Sequence, residues 1–145
     1  MNQTGLYDDT TIVGAIGSAR VIAMLGASPN VERASHHVME LLLAKGHQVI
    51  PVNPGQVGKH ILGQKVYARL ADIPVAIDMV DVFRPSSALP GIMDEVLALA
   101  SLPKVFWTQL DIRDDVQAAR AEAAGITVIQ NRCPAIEYAR LQGQL

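Results

Sequence analysis

The chain has 145 residues, half of them apolar, and a formal net charge of -2 at pH 7. This length and composition predict one sizeable core in a single domain over residues 1–145. The 12 Lys and Arg residues are scattered, which argues against nucleic acid or an anionic membrane as the main partner. A small anionic ligand held by a few local cations stays open.

Cysteine content and the first residues bear on the compartment. Cys133 is the single cysteine and has no partner for an internal disulfide. Met1 to Thr10 has neither the basic start nor the apolar run of a secretory signal, and no apolar run approaches the roughly 20 residues that span a bilayer. The four His residues lack zinc-like spacing, so we expect no metal site. These features predict a cytoplasmic protein.

Apolar runs alternate with segments of helical periodicity, which indicates successive β-α units and a mostly parallel sheet of five to six strands with helices on both faces. Strands are predicted at Val21–Leu25, Gln48–Val52, Asp78–Phe83, Lys104–Thr108 and Thr127–Gln130, with a short edge strand near Lys65–Tyr67. Helices are predicted at Asp8–Ala19, Ser35–Lys45, Pro90–Ala100, Asp114–Ala124 and Pro134–Leu141. Residues 1–19 form an N-terminal helical extension, and Ser35 is the predicted N-cap of the second helix.

The junction after the first strand is the most informative segment. The apolar run stops at Gly26, crosses small polar residues and enters an amphipathic helix. Glycine permits close approach of a ligand to the backbone, and the first amides of a helix point outward without partners, so such a junction receives a phosphate readily. Arg33 adds a positive charge, which is unfavourable at a helix start unless an anion is near.

This junction differs from the dinucleotide-binding fingerprint. Ser28 and Glu32 occupy the positions where that pattern requires its second and third glycines, and the strand Gln48–Val52 is followed by no carboxylate that would hold a ribose diol. A nicotinamide cofactor is therefore disfavoured. A structural strand-to-helix turn without any ligand remains an alternative.

Ligands of open α/β sheets lie beyond the carboxyl ends of the strands. The segments predicted at that edge are Gly26–Ser35, Asn53–Gly55, Phe83–Ser86, Thr108–Arg113 and Asn131–Pro134. In or beside them are small residues, prolines, the aromatics Phe83 and Trp107 and the cations Arg33, Arg84 and Arg132, but no obvious acid–base pair. Asp78 and Asp81 lie on an otherwise apolar strand, where alternation predicts one facing solvent and the other a loop amide. A ligand with phosphates at one end and an extended, weakly polar arm fits these loops.

Ordered motifs along the chain resemble those of the small bacterial and archaeal CoA-binding proteins, which are related to the CoA-binding domain of succinyl-CoA synthetase α subunits. The motifs are GASPNVERAS (26–35), VIPVNP (49–54), GQKVYARLADIP (63–74), VDVFRP (80–85), KVFWTQLDI (104–112) and NRCPAIEYARL (131–141). The resemblance implies a Rossmann-like α/β fold with coenzyme A lying across the carboxyl edge of the sheet.

The resemblance also implies roles for particular residues. It assigns the pyrophosphate of coenzyme A to Gly26, Ser28, Pro29, Arg33 and Ser35. It puts the adenosine end beside Val52, Asn53 and Pro54, and the flank of the ligand beside Phe83, Arg84 and Pro85. It places the pantetheine end near Trp107, Gln109 and Cys133. Two positions depart from the family pattern: Asp111 replaces a usual glycine, and Asn131 replaces a usual aspartate.

These observations favour a non-catalytic module that binds coenzyme A or acyl-CoA, with an unidentified protein partner as a further expectation. One alternative is an enzyme acting on CoA thioesters with Cys133 as nucleophile. For Cys133 the sequence leaves two interpretations open, a buried apolar residue or a solvent-reachable thiol activated by Arg132 and a helix start. The other alternative is a regulator that binds NAD(P) or another nucleotide.

Overall fold

The computed structural model describes residues 6–145. Its strands are β1 (Val21–Leu25), β2 (Gln48–Val52), β3 (His60–Ile61), β4 (Gln64–Lys65), β5 (Met79–Val82), β6 (Val105–Thr108) and β7 (Thr127–Ile129). Its helices are α1 (Asp9–Ser18), α2 (Ala34–Ala44), α3 (Leu89–Leu97), α4 (Asp115–Ala123) and α5 (Pro134–Arg140). Short 3₁₀ turns occupy Pro54–Gln56, Leu70–Asp72 and Ser86–Ala88.

Five strands form one parallel sheet in the order β2-β1-β5-β6-β7. The chain leaves β1 toward β2 and later returns across β1 to β5, so the order of strands reverses between β1 and β5. In a doubly wound sheet the crevice above this reversal is where ligands bind. The topology thus singles out the carboxyl ends of β1 and β5.

Both faces of the sheet are covered by helices. Ile22 and Met24 of β1 pack with Met79 of β5 and Trp107 of β6 against α1 and α2. The alternate strand residues belong to a second cluster, which packs against α3 and α4. Because each face is buried, the strands are mostly apolar rather than alternating, as expected of a parallel sheet. The Rossmann-like α/β fold is confirmed.

The predicted element bounds agree closely with the structure, except in the long connection from β2 to β5. The predicted edge strand near Lys65–Tyr67 is a two-residue antiparallel hairpin of β3 and β4, and Tyr67 adds a single parallel bridge to Val52. The backbone N–H of Tyr67 donates to Pro51 O, and Asn53 N–H donates to Tyr67 O. Strand β2 is therefore the edge strand of the main sheet on this side. Residues 1–5 of the predicted N-terminal extension lie outside the residues that the structure describes.

Candidate functional site: a cavity at the carboxyl edge of the sheet

A cavity of about 640 Å³ opens above the carboxyl ends of β2, β1 and β5. Nine residues assigned to the ligand from sequence line it: Gly26, Ser28, Arg33, Ser35, Val52, Asn53, Pro54, Phe83 and Arg84. Ala27 and Ala34 line it as well and were missed, although their small size beside the predicted residues was a usable signal. Pro29, Pro85, Trp107, Gln109 and Cys133 are not part of its wall.

Gly26 fixes the floor of the cavity. Its φ of +84° lies in the left-handed region, which L side chains rarely adopt. A Cβ there would lie 3.2 Å from the backbone carbon of Phe83 and 3.2 Å from Cδ of Arg84. The end of β1 therefore touches the end of β5 closely, and the first role of this glycine is to permit that contact.

The loop between Gly26 and α2 is held by its own side chains. Ser28 Oγ accepts a hydrogen bond from Asn30 N–H, and Asn30 Oδ1 accepts one from Glu32 N–H. The prediction that Ser35 caps α2 is wrong. The N-cap is Arg33, without a side-chain capping bond, and Ser35 is a buried residue of the first turn. The backbone of Arg33 is extended at the end of this loop. Helix α2 therefore begins at Ala34, one residue earlier than predicted.

Two arginines face the cavity from opposite sides, Arg33 from the start of α2 and Arg84 from the end of β5. Both are exposed, and neither has an ion pair within residues 6–145. The positive end of the α2 dipole adds to the charge of Arg33. The wall of the cavity therefore contains two cations that form no ion pair with the described residues.

Asn53 connects the cavity wall at the end of β2 to the loop that follows β1. Its Nδ2 donates to Ala27 O at 2.8 Å, and its Oδ1 accepts from Gly55 N–H at 2.9 Å. The side chain thus braces the cavity through both of its polar atoms. No carboxylate stands at this end of β2, which is where a dinucleotide-binding fold holds the ribose diol.

Beyond β5, the carboxyl edge is closed rather than open. Trp107 is fully buried, and its Nε1 donates to Arg132 O at 2.8 Å. Cys133 is 8% exposed and packs in the same apolar cluster, so of its two interpretations the buried one describes this structure. Gln109 is also buried, and its Oε1 has no hydrogen-bond partner within residues 6–145.

The three predicted cations at this edge therefore differ. Arg132 lies 5.3 Å above the ring of Tyr7 and 3.8 Å from the carboxylate of Glu137. Glu137 is buried and also pairs with Arg140. Arg132 thus has partners within the protein, unlike Arg33 and Arg84.

The two positions that depart from the family pattern face each other across the ends of β6 and β7. Asp111 has φ +67° and Asn131 has φ +58°, and Asp111 N–H donates to Asn131 Oδ1 at 2.7 Å. Asp and Asn tolerate this left-handed conformation better than other residues with side chains. Asp111 therefore adopts a left-handed backbone conformation that glycine would adopt as well.

The alternation expected for Asp78 and Asp81 is wrong for Asp81. Asp78 precedes β5 and accepts hydrogen bonds from the backbone N–H groups of Arg20 and Val21 at 3.1 and 2.9 Å. Asp81 faces neither solvent nor a loop amide: it is fully buried, and neither carboxylate oxygen has a partner within the described residues. The reason is that helices cover both faces of this sheet. Desolvation raises the pKa of Asp81 to about 8.

Metal and membrane chemistry receive no support in the described part of the chain. Residues 6–145 contain no group of three or more His, Cys, Asp or Glu side chains placed to hold a metal ion. Within the same range, no helix has the length and apolarity needed to cross a membrane.

Known proteins of similar sequence and structure are consistent with this architecture. YneT of Bacillus subtilis (strain 168), an uncharacterized protein, is 35% identical over 118 residues, which are 81% of this chain and 84% of that protein. A Thermus thermophilus protein, cell-free ID.343, has 37% identity and a TM-score of 0.87 over 93% of this chain and 99% of its own. A hypothetical protein from Pyrococcus horikoshii OT3 has 31% identity and a TM-score of 0.87 over 99% of this chain and 98% of its own.

The family comparison covers the sheet and the cavity together. The model of the CoA binding domain matches residues 20–139, from the residue before β1 into the last turn of α5. That range includes the glycine floor, both unpaired arginines and the closed edge at β6 and β7. The chain therefore belongs to the CoA binding domain family.

Proposed function

We propose that this protein binds coenzyme A or acyl-CoA at the carboxyl-edge cavity as a non-catalytic binding or regulatory module. The observation that carries the proposal is the pair of unpaired arginines, Arg33 and Arg84, facing one cavity at the strand-order reversal. Their guanidinium groups match the charge of a pyrophosphate, and charge-assisted hydrogen bonds to phosphate are among the stronger polar contacts. Family membership supports coenzyme A as the ligand.

In the proposed binding mode, the pyrophosphate lies against the loop from Gly26 to Ser35, including Ser28 and Pro29. The adenosine end borders Val52, Asn53 and Pro54. Phe83, Arg84 and Pro85 flank the ligand above the central strand.

The pantetheine arm extends over β6 toward Gln109 and Cys133. Trp107, which is fully buried, supports that end from behind the wall rather than touching the ligand. Gln109 Oε1 is an acceptor that no described residue engages, and an amide N–H of the arm would satisfy it.

Two observations support binding rather than catalysis by Cys133. A nucleophilic cysteine needs an accessible thiolate and a neighbouring base, and this thiol is buried among apolar side chains. His47 lies before β2 at the opposite, amino edge of the sheet, with its two ring nitrogens engaged by Ala19 O and Tyr138 Oη, so it is not placed to act as that base. We therefore propose no thioesterase reaction.

Calorimetric titration with coenzyme A tests the proposal, with NAD at equal concentration as the competing ligand. We expect saturable binding of coenzyme A and weaker binding of NAD, because Asn53 stands where a carboxylate would hold the NAD ribose. At a hundredfold excess over its dissociation constant, coenzyme A raises the unfolding free energy by about 2.7 kcal/mol. Equal or tighter binding of NAD would overturn the ligand assignment, and no binding of either would leave the cavity without the proposed role.

A further inference from the structure

Asp81 is a buried carboxyl group that the fold does not explain. It lies on β5, the central strand of the sheet, opposite Met24 of β1 and Trp107 of β6. Its side chain is fully buried, and both oxygens are without a hydrogen-bond partner among residues 6–145. Buried polar groups are nearly always paired, so an unpaired carboxyl in the centre of a core calls for a reason.

Asp81 lies close to the carboxyl-edge cavity in the sheet. Side chains two residues apart on a strand share a face, and the step is roughly 7 Å. Two residues beyond Asp81 is Phe83, and two residues beyond its neighbour Met24 is Gly26, both of which line the cavity. Asp81 thus lies one step beneath the cavity floor, on the face covered by α1, α2 and α5.

The elements around Asp81 offer it little charge. On β1 and β6 the residues opposite are apolar, and the buried residues of α2 are Val38, Met39, Leu42 and the uncharged Ser35. The ionisable groups of the surrounding elements are Asp9 on α1, His36, His37 and the exposed Glu40 on α2, and Cys133, Glu137, Tyr138 and Arg140 at or on α5.

Several of these groups are already engaged. Asp9 and Glu137 pair with Arg140, and Arg132 also contacts Glu137. The cations above the floor are Arg33 and Arg84 at the cavity. Desolvation is the cause that raises the pKa of Asp81, to about 8, so the carboxyl is mostly protonated at pH 7.

We propose that the cavity holds an anionic ligand only while Asp81 is protonated, so that binding of coenzyme A is coupled to one buried proton. This inference rests on the proposed function. An ionised Asp81 would place an unpaired negative charge beneath the phosphates of the ligand in a medium of low dielectric, where repulsion acts over such a distance. By linkage, bound ligand raises the proton affinity of Asp81 to the same extent that its ionisation weakens binding.

The test compares wild-type protein with Asp81→Asn, which keeps the shape of the side chain and removes its titration. Coenzyme A is titrated into both at pH 6.5, 7.5 and 9.0 by calorimetry. We expect equal dissociation constants at pH 6.5 and, at pH 9.0, binding to wild type weaker by up to about tenfold per pH unit above the pKa. Taking the ratio of the two proteins at each pH cancels the titration of the ligand itself.

Proton uptake supplies a second measurement that needs only the wild-type protein. Titrations at pH 8.5 in buffers of different ionisation enthalpy are expected to show a proton taken up on binding. If coenzyme A binds but Asp81→Asn leaves the pH profile unchanged, or if wild type takes up no proton, the inference fails alone. If coenzyme A does not bind at pH 6.5, the proposed function fails and the inference fails with it.

Discussion

The two edges of the same sheet carry cavities of similar size but different charged groups. The carboxyl-edge cavity, of about 640 Å³, has Arg33 and Arg84 in its wall and the first turn of α2 above it. The amino-edge cavity, of about 710 Å³, is lined by Arg20, Lys45 and Asp78 among others, beside the ends of α1 and α2. Volume alone does not distinguish them.

The direction of the backbone distinguishes the two cavities. In a parallel sheet with helical crossovers, helices begin at the carboxyl edge and end at the amino edge, so amide groups and positive dipole ends collect at the first and carbonyl groups at the second. At the amino edge Asp78 adds a carboxylate, and Lys45 lies over the ring of Tyr138 at 5.4 Å. Helix amides and two arginines therefore favour an anion at the carboxyl edge, whereas helix carbonyl groups and the carboxylate of Asp78 oppose one at the amino edge.

Asp81 and Asp78 give the largest expected difference between the two edges. The folded-state pKa of Asp81 is raised from 3.8 to about 8, so the folded protein binds this proton more tightly than the unfolded chain does. The associated stability is fully present below about pH 4 and is lost progressively up to pH 8, at roughly 1.4 kcal/mol per pH unit. We expect Asp81→Asn to flatten this decline in urea unfolding measured from pH 5 to pH 9.

Asp78→Asn is the matched control at the amino edge. Asp78 accepts two backbone hydrogen bonds and lies 3.7 Å from Lys104, so its carboxylate has partners. We expect this substitution to lower stability by about 1–3 kcal/mol, as measured by urea unfolding at pH 7. Equal responses of the two aspartates to substitution would contradict the contrast drawn between them.

Arg33→Ala gives the next largest effect, on binding rather than on folding. Removing one charge-assisted contact to the pyrophosphate is expected to weaken coenzyme A by roughly 1.5–3 kcal/mol. Calorimetry measures it, and circular dichroism checks that the fold is intact. Arg20→Ala removes an exposed arginine from the amino-edge cavity and is expected to leave the affinity unchanged. Equal losses in the two variants would show a general charge effect instead of a site.

Alanine substitutions of Gly26 and Gly46 compare the same change at the two edges of the sheet. Gly26 and Gly46 share positive φ values of 84° and 94°, so each alanine incurs about 1–2 kcal/mol of backbone strain. At Gly46 a Cβ has nothing within 4 Å, whereas at Gly26 it meets Phe83 and Arg84 at 3.2 Å. Thermal unfolding should therefore show a larger loss for Gly26→Ala, and only this variant should also lose affinity for coenzyme A.

The smallest expected effect concerns the rate at which Cys133 reacts with a thiol reagent. Because its side chain is 8% exposed, a thiol reagent should label the native protein much more slowly than the urea-unfolded chain. Coenzyme A is expected to slow native labelling further, since the proposed pantetheine arm lies above this end of the sheet. Labelling as fast in the native as in the unfolded protein would revive the interpretation of Cys133 as a reachable thiol.

Much of the site was predictable because local patterns locate it. The apolar run that stops at Gly26, followed by small residues and Arg33, marks a strand, a tight turn and a helix start from neighbouring residues alone. The surroundings of Cys133 and Trp107 were not predictable in this way, because each packs in one apolar cluster with residues that are distant in the chain, and Trp107 donates to Arg132 O in the loop before α5. The prediction that Ser35 caps α2 was wrong because Ser28 and Asn30, not Ser35, accept the hydrogen bonds that form the turn before α2.

The sequence by itself determined the order of strands and helices along the chain, the parallel sheet and the edge at which we propose that a ligand binds, because apolar periodicity and chain direction are local properties. Tertiary structure decided which charges remain unpaired. Arg33, Arg84 and Arg132 look alike in sequence, yet only Arg132 meets Tyr7 and Glu137. Asp78 and Asp81 are three residues apart, yet one is hydrogen-bonded and the other is buried without a partner. Pairing and desolvation depend on what distant segments bring to a residue, and those contacts exist only in the folded chain.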